Sequence, residues 1–142
     1  MQQPLVLDTN VVLDAFVFDD AAARPLLPAL EAGQLRWLAT AAMRDELARV
    51  LDYPKIRPLL AFHGLAAADV LAHFDRHANL VDVPAKAPVT CGDADDQKFV
   101  DLAVATSALL LSKDGEVLAL RKRLARLDVT VRAPLLPEPC CP

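Results

Sequence analysis

The 142-residue sequence contains few cysteines and no long hydrophobic segment. Its three cysteines are Cys91 and the adjacent pair Cys140 and Cys141. Because their number is odd and no C-x-x-C spacing occurs, the sequence favours reduced thiols in a cytoplasm over a disulfide framework or a zinc site. No apolar run approaches the roughly 18 residues of a membrane span, so no membrane association is expected. A signal peptide is not expected either, since Asp8 interrupts the first apolar segment.

Basic residues are too few for a protein that coats nucleic acid. The 15 Lys and Arg are outnumbered by 19 Asp and Glu, which gives a formal net charge of -4 at pH 7. A net negative charge argues against general, non-specific binding to nucleic acid. It does not exclude a nuclease, because the catalytic acids of a nuclease themselves add to the negative charge.

The length and the segment pattern predict one domain. A chain of 142 residues matches the commonest domain size and can bury a sizeable core. We find no internal repeat and no linker that would divide it. Residues 134–142 carry four prolines, which predicts an irregular tail. The expected organisation is therefore a domain over residues 1–133 and a proline-rich tail over residues 134–142.

Short apolar runs alternate with helical segments along the chain. The predicted strands are 4–7, 35–39, 80–83, 109–111 and 129–131. The predicted helices are 11–16, 24–32, 40–51, 55–62, 66–77, 96–106 and 115–127. This alternation predicts an α/β fold with a parallel sheet of four to five strands, covered by helices on both faces.

Two of the apolar runs lead to an aspartate at the predicted edge of the sheet. Residues 4–7 stop at Asp8, and residues 109–111 are followed closely by Asp114. Alone, each acid is explained equally well as a strand end or a helix cap. The strand-to-helix loops of a parallel sheet emerge at one edge, so the two acids are expected to be neighbours. Open α/β sheets bind ligands at this edge, and the pair therefore predicts a functional site.

Helical periodicity distinguishes two neighbouring acids on the predicted helix 40–51. Its apolar residues form one stripe at helical spacing: Met43, Leu47, Val50 and Leu51. Glu46 falls at the edge of this stripe, whereas Asp45 falls nearly opposite and is expected to face solvent. An ion pair of Glu46 with Arg44 or Arg49 is the alternative to a role in a site.

An acidic cluster opens the predicted helix 96–106. Acids in a first helical turn are favoured by the helix dipole and by capping, so they do not by themselves indicate a site. Asp95 and Asp96 both project onto the apolar face of this helix, and the spacing alone does not separate them. Four carboxylates that converge without His or Cys indicate a site for a hard cation, Mg²⁺ or Mn²⁺. Such a site suits the hydrolysis of a phosphodiester without a protein nucleophile.

Four segments in order resemble the sequence motifs of the PIN domain family: Leu7-Asp8-Thr9-Asn10, Arg44-Asp45-Glu46-Leu47, Asp93-Ala94-Asp95-Asp96-Gln97-Lys98-Phe99 and Leu111-Ser112-Lys113-Asp114. The resemblance covers nearly all of the chain and implies a three-layer α/β/α fold. In the third motif of the family, the acid three residues before the aromatic residue is a ligand, which favours Asp96 over Asp95. The sequence departs from the family at Lys113, where glycine is common, and at Glu116, where aspartate is usual.

The resemblance implies a set of functional residues. The catalytic acids and metal ligands would be Asp8, Glu46, Asp96 and Asp114, with Mg²⁺ or Mn²⁺ as cofactor. Additional candidates for the site are Thr9, Asn10, Asp93, Ser112 and Glu116. Lys98 and Lys113 are the candidate RNA contacts.

The resemblance also implies a function, namely a metal-dependent ribonuclease. Many small bacterial members of the family are toxins of toxin–antitoxin pairs, so a cognate antitoxin and a homodimer are candidate partners beside the RNA substrate. Two alternatives stay open. One is a catalytically silent protein-interaction module of the same fold. The other is a phosphatase of the haloacid-dehalogenase type with Asp8 as nucleophile, although that family needs a second Asp at the position of Asn10.

Overall fold

A five-stranded parallel sheet forms the centre of the fold. The computed structural model describes residues 2–18 and 20–134. The strands in chain order are β1 Gln3–Leu7, β2 Leu35–Ala39, β3 Ala78–Leu80, β4 Leu109–Leu111 and β5 Thr130–Arg132. Each neighbouring pair is parallel, and the order across the sheet is β3-β2-β1-β4-β5. The predicted parallel sheet of four to five strands is therefore confirmed.

Helices cover both faces of this sheet. They are α1 Thr9–Phe16, α2 Leu26–Glu31, α3 Ala41–Leu51, α4 Arg57–Phe62, α5 Ala67–His77, α6 Gln97–Thr106, α7 Gly115–Leu118 and α8 Arg121–Ala125. A 3₁₀ turn at Ala94–Asp96 precedes α6. Helix α3 packs against α1 and α5, whereas α6 lies against β1 and β4, and both α7 and α8 contact β5. This is the expected three-layer α/β/α arrangement.

The strand order creates a switch point between β1 and β4. The chain builds from β1 outward to β2 and β3, then returns to the other side of β1 for β4 and β5. Open α/β sheets bind ligands at such a point, beyond the carboxyl ends of the strands. Leu7 of β1 is in register with Leu111 of β4. Asp8 and Ser112, which lie 104 residues apart in sequence, therefore emerge side by side at this edge.

The core lies between the sheet and its two helical layers. The two central strands bury consecutive apolar residues, as expected for strands covered on both faces, and Leu5, Val6 and Leu110 are fully buried. Trp37 of β2 stacks on Phe16 with ring centroids 5.8 Å apart. Complete burial of one Leu or Val contributes about 1.5–3 kcal/mol. The rigid base that carries the loop residues at the sheet edge is therefore made by ordinary apolar packing.

Two strands and one helix differ from the sequence-based prediction. The third strand lies at Ala78–Leu80 rather than 80–83, because it begins directly after α5. The fifth strand is displaced by one residue from 129–131. The helix predicted at 115–127 is split into α7 and α8, since the Leu120 N–H bonds to the Val117 carbonyl only three residues back. The other helix ends lie within about two residues of the prediction, the usual spread of helix boundaries.

None of the described helices has both the length and the apolar character needed to cross a membrane. The predicted proline-rich tail spans residues 134–142, and residues 135–142 of it lie outside the described residues. The proposed division at residue 133 therefore stays a prediction.

Candidate metal centre

Hydrogen bonds hold the residues that follow β1 and β4 in place at the switch point. Asp8 caps α1, and its Oδ1 accepts a hydrogen bond from the Val11 N–H at 2.9 Å. The Asp8 N–H itself donates to the Leu111 carbonyl at 3.2 Å. The Ser112 hydroxyl oxygen accepts from the Asp114 N–H at 3.0 Å. These bonds fix the positions of Asp8 and Asp114, two acids from distant parts of the chain.

Asp8 is a buried acid whose two carboxylate oxygens are both engaged. Only 3% of the residue is exposed. Its Oδ2 accepts a hydrogen bond from the Ser112 hydroxyl, and its Oδ1 serves as the helix cap. Burial raises the pKa of Asp8, the hydrogen bonds from Ser112 and Val11 oppose this effect, and the charge of Asp114 adds to it. Asp8 thus supports the site electrostatically and holds Ser112 in place.

Three half-buried aspartates form a cluster next to Asp8. One carboxylate oxygen from each of Asp93, Asp96 and Asp114 lies within 4.8 Å of the other two. Burial raises the pKa of Asp96 to about 7, helped by the charges of Asp114, Asp93 and Asp8 and by a hydrogen bond between the Asp96 and Asp114 side chains. Carboxylates at this separation repel one another unless a proton or a cation lies between them. The cluster is therefore a place where positive charge is stabilised.

The acids of the cluster are oriented by their own turns. The Asp93 Oδ1 accepts from the Asp95 N–H at 2.9 Å, which starts the 3₁₀ turn. The Asp114 Oδ1 accepts from the Glu116 N–H at 2.8 Å, which starts α7. Asp95 is exposed and lies outside the cluster. Helical spacing alone did not separate Asp95 from Asp96. The 3₁₀ turn that precedes α6 carries both residues, and of the two only Asp96 lies in the cluster.

Glu46 is not part of this cluster and pairs with a lysine. Asp45 is exposed and Glu46 is half-buried, as the helical stripe on α3 predicts. The Glu46 Oε2 is 2.7 Å from the Lys98 Nζ. The alternative ion pair with Arg44 does not form, because Arg44 binds Asp75 through two hydrogen bonds of 2.7 and 2.9 Å.

A second lysine near the site is also paired. The Lys113 Nζ is 2.5 Å from the Asp14 Oδ2, and the Asp14 side chain is 8% exposed while that of Lys113 is 48% exposed. The sequence analysis does not identify Asp14. The sequence feature that could have identified Asp14 is its place among apolar residues on the short helix α1, where Val11, Val12 and Leu13 are all buried.

The remaining sequence-predicted residues surround this centre. Thr9 is half-buried and Asn10 is exposed, both in the first turn of α1. The exposed Glu116 extends over the backbone of Gly92, where an added Cβ would lie 2.0 Å from the Glu116 Oε2. Any larger residue at position 92 would therefore displace the Glu116 carboxylate.

The donor set of the cluster fits a hard divalent cation. It consists of carboxylate oxygens, which are the ligands that Mg²⁺ and Mn²⁺ prefer. Asp8 adds a further negative charge beside the cluster, since its charge raises the pKa of Asp96. Of the four acids predicted as ligands, Asp96 and Asp114 lie together with Asp93, Asp8 adjoins them through Ser112, and Glu46 pairs with Lys98.

Comparisons with known proteins identify the family of the chain. No curated protein matches the sequence significantly. Among solved structures, the chain is similar to VapBC2 from Rickettsia felis bound to a DNA fragment from its promoter, with 15% identity and a TM-score of 0.59 over 92% of this chain and 98% of the other. At that identity the likeness concerns the fold. The PIN domain family matches residues 4–114, most of the sequence. On the strength of that match, the chain belongs to the PIN domain family.

Proposed function

We propose that this protein is a metal-dependent ribonuclease that hydrolyses phosphodiester bonds of RNA. The observation that carries the proposal is the cluster of Asp93, Asp96 and Asp114, whose ligand atoms lie within 4.8 Å of one another at the switch point of the sheet. Membership of the PIN domain family supports a nuclease. RNA as substrate and the identity of the metal are inferences from the donor chemistry and from the family resemblance.

The cofactor of the proposed reaction is Mg²⁺ or Mn²⁺, held by Asp93, Asp96 and Asp114. Such an ion supplies Lewis acidity, which activates water and stabilises the leaving oxygen of a phosphodiester. Asp96 would give up its proton on binding the ion, because a nearby positive charge lowers the pKa of a carboxyl group. The residues then act as ligands that fix the place of the reaction rather than as nucleophiles.

The surrounding residues position this ligand set. Asp8 accepts a hydrogen bond from the Ser112 hydroxyl, and the Ser112 oxygen in turn accepts one from the backbone N–H of Asp114. Asp8 is therefore proposed to orient Asp114 and to add negative charge to the site. Lys113 remains half-exposed in its pair with Asp14, and its remaining N–H donors are proposed to contact an RNA phosphate. Glu46, which pairs with Lys98, is proposed as a further catalytic acid.

We further propose that the protein is the toxin of a toxin–antitoxin pair in the cytoplasm. The solved structure of similar fold, VapBC2, is bound to DNA from its promoter. By analogy, the partner of this chain would be a cognate antitoxin that inhibits cleavage and binds DNA. This part of the proposal rests on a likeness of fold and on the family resemblance.

The phosphatase alternative is disfavoured by the surroundings of Asp8. A nucleophilic carboxylate needs a free oxygen that faces the substrate. In this structure both Asp8 oxygens accept hydrogen bonds, and the residue is almost completely buried. The competing proposal is a catalytically silent protein-interaction module. A cleavage assay distinguishes this module from the ribonuclease.

The test is a cleavage assay on structured and unstructured RNA with titrated Mn²⁺ or Mg²⁺. Activity should require the metal and be lost in EDTA. Asp114→Asn should lower the rate by about 100-fold or more, because outer partners of metal ligands alone are worth about 10- to 100-fold in affinity or activity. Purified parent protein should not hydrolyse small phosphomonoesters.

The matched control is the neighbouring pair of acids on α3. Glu46→Gln should lower the cleavage rate at least about 10-fold, whereas Asp45→Asn, which changes an exposed carboxylate, should leave it within a few-fold. Cleavage that is independent of metal, or an Asp114→Asn variant with parental activity, would refute the ribonuclease proposal. An acid-stable phosphoryl adduct at Asp8 would instead support the phosphatase.

A further inference from the structure

Residues 81–93 form a long loop that carries Asp93 to the acid cluster without helix or strand. The loop follows β3 and ends at the 3₁₀ turn that precedes α6. Within the described part of the chain, no backbone–backbone hydrogen bond involves residues 82–92. Ordering such a segment costs conformational entropy at every residue. The place of Asp93 therefore depends on contacts that side chains make with the backbone of the loop.

The Gln97 side chain binds this backbone with both ends of its amide group. Its Oε1 accepts a hydrogen bond from the Cys91 N–H at 2.6 Å, and its Nε2 donates to the Val89 carbonyl at 3.0 Å. Gln97 is the first residue of α6 and directly follows Asp96. One side chain therefore ties the loop to the start of the helix, next to a residue of the cluster.

Asp101 fixes the orientation of that amide group. The Gln97 Nε2 also donates to the Asp101 Oδ1 at 2.8 Å, one helical turn further along α6. Because a carboxylate only accepts hydrogen bonds, the amide turns its nitrogen towards Asp101 and its oxygen towards Cys91. The same Asp101 Oδ1 accepts from the Ala87 N–H at 2.8 Å. Asp101 therefore holds both Gln97 and a second point of the loop.

Cys91 connects these contacts to Asp93. The residue is only 5% exposed. Burial raises the pKa of its thiol, and a hydrogen bond from the Asp93 backbone N–H to the sulfur opposes this effect. The charges of the three cluster aspartates also raise this pKa, which places the thiol beside the cluster. A continuous series of hydrogen bonds thus runs from Asp101 through Gln97 and Cys91 to Asp93.

We propose that Gln97 and Asp101 are positioning residues that order the loop 81–93 in advance and so hold Asp93 where it can bind the metal ion. The inference rests on the proposed function, in which Asp93 is one of three ligands. Without the two side chains the loop would be ordered only when the ion binds, and that cost would weaken binding. Outer partners of metal ligands are typically worth about 10- to 100-fold in affinity.

Isothermal titration with Mn²⁺ tests the proposal without any measurement of activity. Gln97→Met keeps an unbranched side chain but lacks the amide, so the affinity for Mn²⁺ should fall about 10-fold or more. Asp101→Ala and Asp101→Asn both remove a charge, but only asparagine keeps an acceptor oxygen for Gln97 and Ala87. The alanine variant should also lose about 10-fold. The asparagine variant should stay within about threefold of the parent, because its oxygen accepts the same two hydrogen bonds.

The matched control is a hydrogen bond that lies within the loop and does not reach α6. The Lys86 Nζ donates to the Thr90 hydroxyl oxygen at 2.8 Å. Thr90→Val removes this bond and leaves the contacts of Gln97 and Asp101 intact. Its affinity for Mn²⁺ should therefore stay within about threefold of the parent, well short of the loss expected for a partner of a metal ligand.

Hydrogen exchange in the metal-free protein reports on the loop itself. The Cys91 amide should exchange at least about 10-fold faster in Gln97→Met, and both the Cys91 and Ala87 amides should do so in Asp101→Ala. The amides of β1 should be accelerated much less, because the centre of the sheet opens only with the whole domain. A purely structural role would instead accelerate exchange in β1 as much as in the loop, and that result would overturn the proposal.

The titration can also contradict the proposal. Parental affinity for Mn²⁺ in Gln97→Met or Asp101→Ala would overturn it, as would a loss in Asp101→Asn or Thr90→Val as large as that in Asp101→Ala. A parent that binds no Mn²⁺ would refute the proposed metal-dependent function. A parent that binds Mn²⁺ beside variants that bind it equally well would refute only the role of Gln97 and Asp101, so the two failures are distinguishable.

Discussion

Replacing Asp96 with Asn should make the metal-free protein more resistant to alkaline pH. The pKa of Asp96 is raised from its usual 3.8 to about 7, first by burial and then by Asp114, Asp93 and Asp8. The folded chain therefore binds this proton more tightly than the unfolded chain. The resulting stability is fully present below about pH 4 and is lost as the pH rises through about 7. Asn cannot ionise, so the variant avoids this loss.

The size of the effect follows from the shift. A change from 3.8 to about 7 corresponds to at most about 4 kcal/mol in the free energy of unfolding. The carboxyl groups of the cluster are only half-buried, and solvent screening reduces the expected value to about 1–2 kcal/mol. Between pH 4.5 and pH 8 the parent should lose this amount relative to the variant. In a thermal melt the difference corresponds to roughly 3 °C per kcal/mol for a chain of this size.

Urea unfolding in EDTA at the two pH values measures the effect. Asp45→Asn is the control, because it removes an exposed carboxylate on the solvent side of α3 and should follow the parent at both values. If Asp96→Asn loses stability with pH as steeply as the parent, the cluster does not raise the proton affinity of Asp96. A variant that is less stable than the parent at pH 8 would contradict the repulsion argument altogether.

Two further substitutions test the contacts around the cluster. Ser112→Ala removes the hydroxyl that donates to Asp8 and accepts from the Asp114 N–H, so the free energy of unfolding should fall by about 1–3 kcal/mol; an unchanged urea midpoint would show that these bonds contribute nothing. Lys113→Gln leaves the buried Asp14 without its cation and should destabilise the protein at pH 7 by about 1 kcal/mol, a modest value because Lys113 is half-exposed. A denaturation curve that coincides with that of the parent would contradict this second prediction.

The sequence by itself determined the architecture of the protein and the approximate place of its candidate site. Strand and helix periodicities are local signals, and their alternation predicts a parallel sheet with helices on both faces. Parallel connections bring the residues after each strand to one edge, which is why Asp8 and Asp114 were expected to be neighbours. The angular spacing of residues around a single helix also distinguished Glu46, at the edge of the apolar stripe, from the exposed Asp45. Each of these inferences needs only the spacing of residues within one segment or a general rule of chain connection.

The tertiary structure alone decided which charges meet. Asp93 and Asp96, at the 3₁₀ turn before α6, meet Asp114, which follows β4. Lys98 reaches Glu46 across two helices, and Lys113 reaches Asp14 across the switch point. The Ser112 hydroxyl engages Asp8 because β1 and β4 are adjacent and in register. Such pairings depend on distances of a few ångströms between elements that are far apart in sequence. Those distances follow from strand order and core packing, which no local pattern of residues encodes.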